Sequence, residues 1–194
     1  MRSPSGYNPA QDDVLKTLGV AMIAGQGVEY LLSNCLTYAL HGEPLQTVEQ
    51  LRILLERHSK ATLGQLLRKL RTRVDLHPTF DDTLDRFLQH RNIIAHRLHD
   101  VPGGFDLHSD EGRERLKAFL VQYMVDGHTV SMVMLGVLRG WASQEGIDIN
   151  SDHHLSQRMQ DHLEANVMPN LEALIRSKDC LLYTSDAADE RSSV

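Results

Sequence analysis

The chain has 194 residues and a mass of 21.9 kDa, enough for one hydrophobic core. Hydrophobic residues at 41% and charged residues at 24% exclude a disordered or fibrous chain, and aromatics at only 5% favour helix over sheet. A net charge of −6 excludes a uniformly cationic nucleic-acid coat, and two cysteines, Cys35 and Cys180, exclude a disulfide scaffold.

The first eight residues are expected to be disordered, and the segment MRSPSGYNPAQDD has no apolar stretch that would make it a secretory signal. A first helix is predicted from Pro9, a favourable first-turn residue, to about Leu40. Its apolar face runs through Val14, Leu18, Ala21, Met22, Gly25, Val28, Leu32, Cys35, Leu36 and Ala39. Gly25 and Gly27 mark a close helix crossing or a kink. Thr47-x-x-Gln50 reads as a capping box that opens a short helix carrying Val48, Leu51, Leu54 and Leu55. The next helix buries Leu63, Leu66, Leu67 and Leu70 and presents Arg68, Lys69, Arg71 and Arg73 on its polar side.

Pro78 opens a helix whose expected core residues are Phe80, Leu84, Phe87, Leu88, Ile94 and Leu98. Pro102-Gly103-Gly104 breaks the chain. A long helix follows from about Glu111 to Gln144, with a seam of Leu116, Phe119, Leu120, Tyr123, Met124, His128, Met132, Leu135 and Leu138 and a stop at Gly146. The last helix is predicted over 152–177, kinked or ended at Pro169. No segment alternates with period two, so the fold class is all-α, an antiparallel helical bundle forming one domain over 9–179. The final stretch, CLLYTSDAADERSSV, abandons the helical period. It resembles translated read-through of a sequencing adapter, so 180–194 is expected to be a disordered, non-native tail, with a natural disordered tail as the alternative. No apolar run approaches the roughly 20 residues that cross a bilayer, and a reducing, cytoplasmic setting with no membrane partner is expected.

Charge is unevenly spread. Between Arg57 and Arg97 nine Lys and Arg residues stand against four Asp, inside a chain that is otherwise acidic. This basic middle suits either a solvated helix face or a groove for a polyanion.

The informative stretch lies at its end, FLQHRNIIAHRLHD over 87–100. On a helix Asn92 and His96 share a face at i and i+4, while Arg91 lies about 140° around from His96 and reaches back through its long side chain. Cleaving RNA without a metal requires deprotonating a 2′-hydroxyl, stabilising a dianionic phosphorane and protonating the leaving oxygen. His moves protons near neutral pH, Arg offers a permanently charged fork to phosphate oxygens, and Asn can orient either group. One His per chain supplies half of the acid–base pair, and a symmetric homodimer supplies the other half. The alternative is a buried hydrogen-bonded pair that fixes helix register, with Arg91 in an ion pair.

Other patterns carry less. His96 and His99 at i and i+3, with His90 and His108 nearby, lack the acid or cysteine cluster of a metal site, so no metal is assigned. Asp152-His153-His154 reads as a helix cap with two exposed histidines. Met124, Met132 and Met134 read as core. No Gly-rich phosphate loop or nucleophile elbow is present.

The Arg91-Asn92…His96 spacing, within a helical chain of this kind, resembles the HEPN superfamily over roughly Val14 to Leu138. That resemblance implies a metal-independent endoribonuclease centre at a dimer interface, needing no cofactor, in a group many of whose members are toxins or antiphage effectors. Arg91 would then stabilise phosphate, His96 transfer protons and Asn92 accompany them. Glu29, an acid interrupting an apolar helix, would be the acidic residue added from an earlier helix. Arg68, Lys69, Arg71, Arg73 and Arg97 would guide RNA, no DNA partner is expected, and an antitoxin or regulatory protein would be a further partner. The superfamily also contains inactive members, so a non-catalytic interaction or regulatory module, binding a partner protein or a nucleotide, stands as the alternative.

Overall fold

The computed structural model describes residues 8–41, 47–147 and 157–178, and these are mostly helical. Of the expected disordered segments only Asn8 is described, and it is ordered there, its Oδ1 accepting from the Ala10 N–H; the rest, the Asp152-His153-His154 cap and Cys180 lie outside the described residues. Helix α1 covers Pro9–Asn34 and runs into a π-helical turn over Cys35–Ala39. Helices α2 (Val48–Ser59) and α3 (Leu63–Arg73) lead to strand β1 (Val74–Leu76), then α4 (Pro78–His96) and the long α5 (Asp110–Gln144). A broken segment ends the described chain: α6 (Gln157–His162), a π-turn, a 3-10 turn at Met168–Asn170, α7 (Leu171–Leu174) and strand β2 (Ile175–Ser177). No described helix is long and apolar enough to cross a membrane.

Local chemistry explains most of the boundaries. Thr47 and Gln50 close the expected capping box, and Thr62 with Gln65 forms a second one that opens α3. Gly146 takes a positive φ of 70° just beyond α5, a conformation that costs glycine least.

The last segment departs from the expected single helix. Pro169 lies in the 3-10 turn, where its missing N–H is tolerated, and Ile175–Ser177 leaves helical geometry to pair antiparallel with β1. The register is Val74↔Ser177, Asp75↔Arg176 and Leu76↔Ile175. His77 precedes Pro78, which disfavours helical geometry there and leaves this stretch extended.

The chain divides into two compact units, Met1–Glu29 with Asp82–Val130, and Tyr30–Asp81 with Ser131–Val194. In the first, Phe87 stacks on Tyr123 with ring centroids 4.8 Å apart and an interplanar angle of 4°. Leu84, Leu116 and Leu120 are fully enclosed, as are Val14 and Ala21. The buried carboxylate of Asp126 is satisfied by a two-point bond from Arg86, at 2.8 and 2.7 Å, and by Gln122 at 3.0 Å.

In the second unit α3 buries all four expected leucines. The Cys35 thiol donates to the Met134 carbonyl at 3.2 Å, and Gly136 lets Val167 and Leu171 approach α5 closely. Here α5 is covered on more than one side, since Met132, Val133, Met134 and Val137 are all buried. That enclosure departs from the single expected stripe. Three expected core residues are in fact exposed: Met22, Val48 and His128. Val48 occupies the first turn of α2, where little packs against it.

Candidate functional site

Glu29, Arg91 and His96 come together within the first unit. Glu29 follows Val28 on α1, one turn beyond buried Gly25. Arg91 continues the α4 stripe of Leu84 and Phe87, one turn before buried Ile94. The two side chains meet where these faces reach the surface, each about one quarter exposed. Arg91 Nε donates to Glu29 Oε1 at 2.7 Å, and Arg91 Nη1 bonds His96 Nε2 at 3.2 Å.

The second contact spans a five-residue offset that ideal helical geometry holds apart. It is made because His96 is the last residue of α4; Arg97, with φ −145° and ψ 47°, has already left the helix. A guanidinium can only donate, so His96 Nε2 accepts and the ring proton of the neutral imidazole sits on Nδ1. Asn92 is half-buried and makes no side-chain hydrogen bond among the described residues.

Beside the ion pair lies a notch of about 70 Å³, lined by Met22, Gly25, Gln26, Ile94, Ala95 and Tyr123 besides Glu29 and Arg91. It is far below the roughly 300 Å³ at which pockets for whole small molecules begin, so any large substrate would lie across it rather than inside it. Tyr123 is the residue that sequence reasoning assigned only to the core. Its hydroxyl lies so close to Gly25 that a Cβ there would collide with it. Burial, reinforced by Glu29, raises the phenol to about 12, so it remains a neutral hydrogen-bonding group. The mid-helix glycine on a buried face was the available signal.

The other residues proposed from the sequence have different partners. Arg97 is exposed and only 3.8 Å from Asp100. Arg68, Lys69, Arg71 and Arg73 all belong to the second unit. Arg71 is engaged by Asp81 at 2.7 Å, whereas Lys69 Nζ lies 2.5 Å from His58 Nε2. His58 is buried at 2% exposure, and its Nδ1 is 2.7 Å from Thr37 Oγ1, which in turn donates to the Ser33 carbonyl at 2.8 Å. This fixes the tautomer: Nδ1–H donates to Thr37 and Nε2 accepts from lysine. Burial first, then Lys69 and Arg57, push His58 down to about 4.

His99 contacts only Asp100 among the described residues, and none of the described His, Cys, Asp and Glu side chains gather in the threes that hold a metal ion. His90 is packed at 4.7 Å from the Phe119 ring, and its buried Nδ1 has no partner among the described residues. No family model, curated protein or solved structure matches the chain.

Proposed function

We propose that the chain is a metal-independent endoribonuclease of HEPN type, a helical bundle acting as a homodimer. The observation that carries this reading is Arg91 held between Glu29 and His96 at 2.7 and 3.2 Å. Glu29 fixes one edge of the guanidinium, leaving the remaining N–H groups to meet phosphate oxygens. Phosphate binding draws Arg91 Nη1 away from His96, and the freed Nε2 then accepts the proton of the substrate 2′-hydroxyl. The 2′-oxygen then attacks phosphorus, Arg91 stabilises the charge on the phosphorane, and the 5′-oxygen departs. That oxygen needs a proton, and His96 of a second copy, in its protonated form, supplies it. The products are a 2′,3′-cyclic phosphate and a free 5′-hydroxyl. A toxin or antiphage role, with an antitoxin as partner, belongs to the same proposal.

The test is incubation of the purified chain with mixed RNA in EDTA, beside the Arg91→Ala and His96→Ala variants. Wild type should yield 2′,3′-cyclic ends, and His96→Ala should lose on the order of 10²–10⁴-fold in rate with unchanged helix content. Equal cleavage by His96→Ala would remove the catalytic assignment. Absence of cleavage by wild type would favour the non-catalytic module, in which Glu29 and Arg91 form an ordinary structural ion pair.

A further inference from the structure

Among the described residues of the second unit, positive charge gathers around α3 that the neighbouring acids do not answer. Helix α3 contains no Asp or Glu but carries Arg68, Lys69, Arg71 and Arg73. The two acids of α2 are already engaged: Glu49 holds Arg52 at 2.8 Å and Glu56 holds Lys60 at 2.6 Å. Asp75 of β1 faces Lys178 at 3.5 Å, and Asp81 holds Arg71. Among the described residues, Arg57, Lys69 and Arg73 therefore have no carboxylate partner.

These three cations are brought near one another. Lys69 and Arg73 lie one turn apart on α3 and so share a face. The bond from Lys69 to His58 ties that face to the end of α2, where Arg57 is the neighbouring residue. Partial burial first, then the flanking Arg57 and Arg73, disfavour the charge on Lys69. A lysine held in this way is unusual for a solvated face, where long cations spread apart. Its imidazole partner accepts one proton of the ammonium and leaves two for an incoming ligand.

We infer that Arg57, Lys69 and Arg73 form a binding site for a phosphate group, with Lys69 held in place by the His58–Thr37 chain. The inference deepens the ribonuclease reading by naming where an RNA backbone is gripped, and the site would bind phosphate even if Arg91 and His96 cleave nothing. Two sources share the chemistry, a single-stranded RNA backbone and a free polyphosphate.

The experiment measures fluorescence anisotropy of a labelled 2′-O-methyl oligouridylate, which lacks the attacking hydroxyl, against the full chain over a range of salt. Inorganic tripolyphosphate serves as competitor. Wild type should bind with a salt-dependent affinity. The Arg57→Gln/Arg73→Gln double variant, which keeps the Lys69–His58 bond, should lose roughly tenfold and reduce the salt slope by about two. Lys69→Gln should weaken binding further, while the charge control Arg52→Gln should stay within roughly twofold of wild type. RNA binding that tripolyphosphate displaces only weakly assigns the site to the backbone; tripolyphosphate binding alone assigns it to a free polyphosphate. Failure of both probes to bind wild type, or wild-type affinity in the double variant, overturns the inference. Loss of cleavage in His96→Ala with this binding intact bears only on the other site.

Discussion

Arg91 in the first unit and Lys69 in the second are both half-buried cations that touch a histidine, yet among the described residues only Arg91 also touches a carboxylate. The carboxylate changes what each cation can do. Glu29 pins the Arg91 guanidinium and offsets its charge, which suits a group that must stand at a defined point beside reacting atoms. Lys69 has only a neutral imidazole and a neutral hydroxyl behind it, so its charge remains for an external anion. Position in one region and charge in the other are thus separated, although both lie in the same basic stretch of sequence.

The sharpest break of this comparison comes from removing the pinned cation. Arg91→Ala is expected to lower cleavage on the order of 10²–10³-fold in single-turnover assays, the usual cost of removing one preorganised donor. Arg91→Lys should recover little, because an ammonium cannot reproduce the fork that joins Glu29 to His96. Substantial recovery would show that charge suffices there, and the contrast with Lys69 would vanish.

The next effect is on stability. Thr37→Val leaves the buried Nδ1–H of His58 without its acceptor and should cost about 1–3 kcal/mol in urea unfolding, while Thr37→Ser should retain most of it. Equal stability of the two variants would show that the hydroxyl does not hold the histidine. In the first unit Gly25→Ala puts a methyl group against the Tyr123 hydroxyl. Partly offset by better helix propensity, this should cost about 1–2 kcal/mol and alter Tyr123 fluorescence. A stabilised variant with native fluorescence would mean that the ring moves aside freely.

The smallest effect is one of pH. His58 sits near 4 in the folded chain against an ordinary value of 6.5, so below 6.5 the unfolded chain takes up a proton that the folded chain refuses. Its contribution to stability is full above about pH 6.5, falls as the pH drops toward 4, and levels off below that. The difference in melting temperature between wild type and His58→Gln, followed from pH 7 to 4, should shrink through that window. A constant difference would place His58 in a more solvated setting.

Much of the fold was legible because its signals are local. Pro9, Pro78, the Thr47–Gln50 box and Gly146 act within a turn of themselves, and the leucines of α3 repeat with the helical period. Glu29 stood out as a charge on an otherwise apolar helix. What escaped depends on partners distant in sequence or on where a helix stops. The reach of Arg91 back to His96 was expected from the sequence, but the end of α4 at His96 that permits it was not. Arg71 and Lys69 read alike in the sequence as cations of one basic run, and only the fold gives one of them Asp81 and the other His58. Tyr123 fitted a core seam and also borders the notch, a double role that periodicity cannot express.

The β1–β2 pair has a kinetic consequence. Val74 meets Ser177 across roughly a hundred intervening residues, and the cost of closing so long a loop must be met before the strands bring any return. Helical turns form within about a microsecond from neighbouring contacts, whereas this register waits on a rare encounter. The clasp should therefore be the last element to set during refolding, with Val74–Leu76 open until then. An unpaired strand edge is what invites association between chains, so a crowded refolding mixture is where this short pair would matter most.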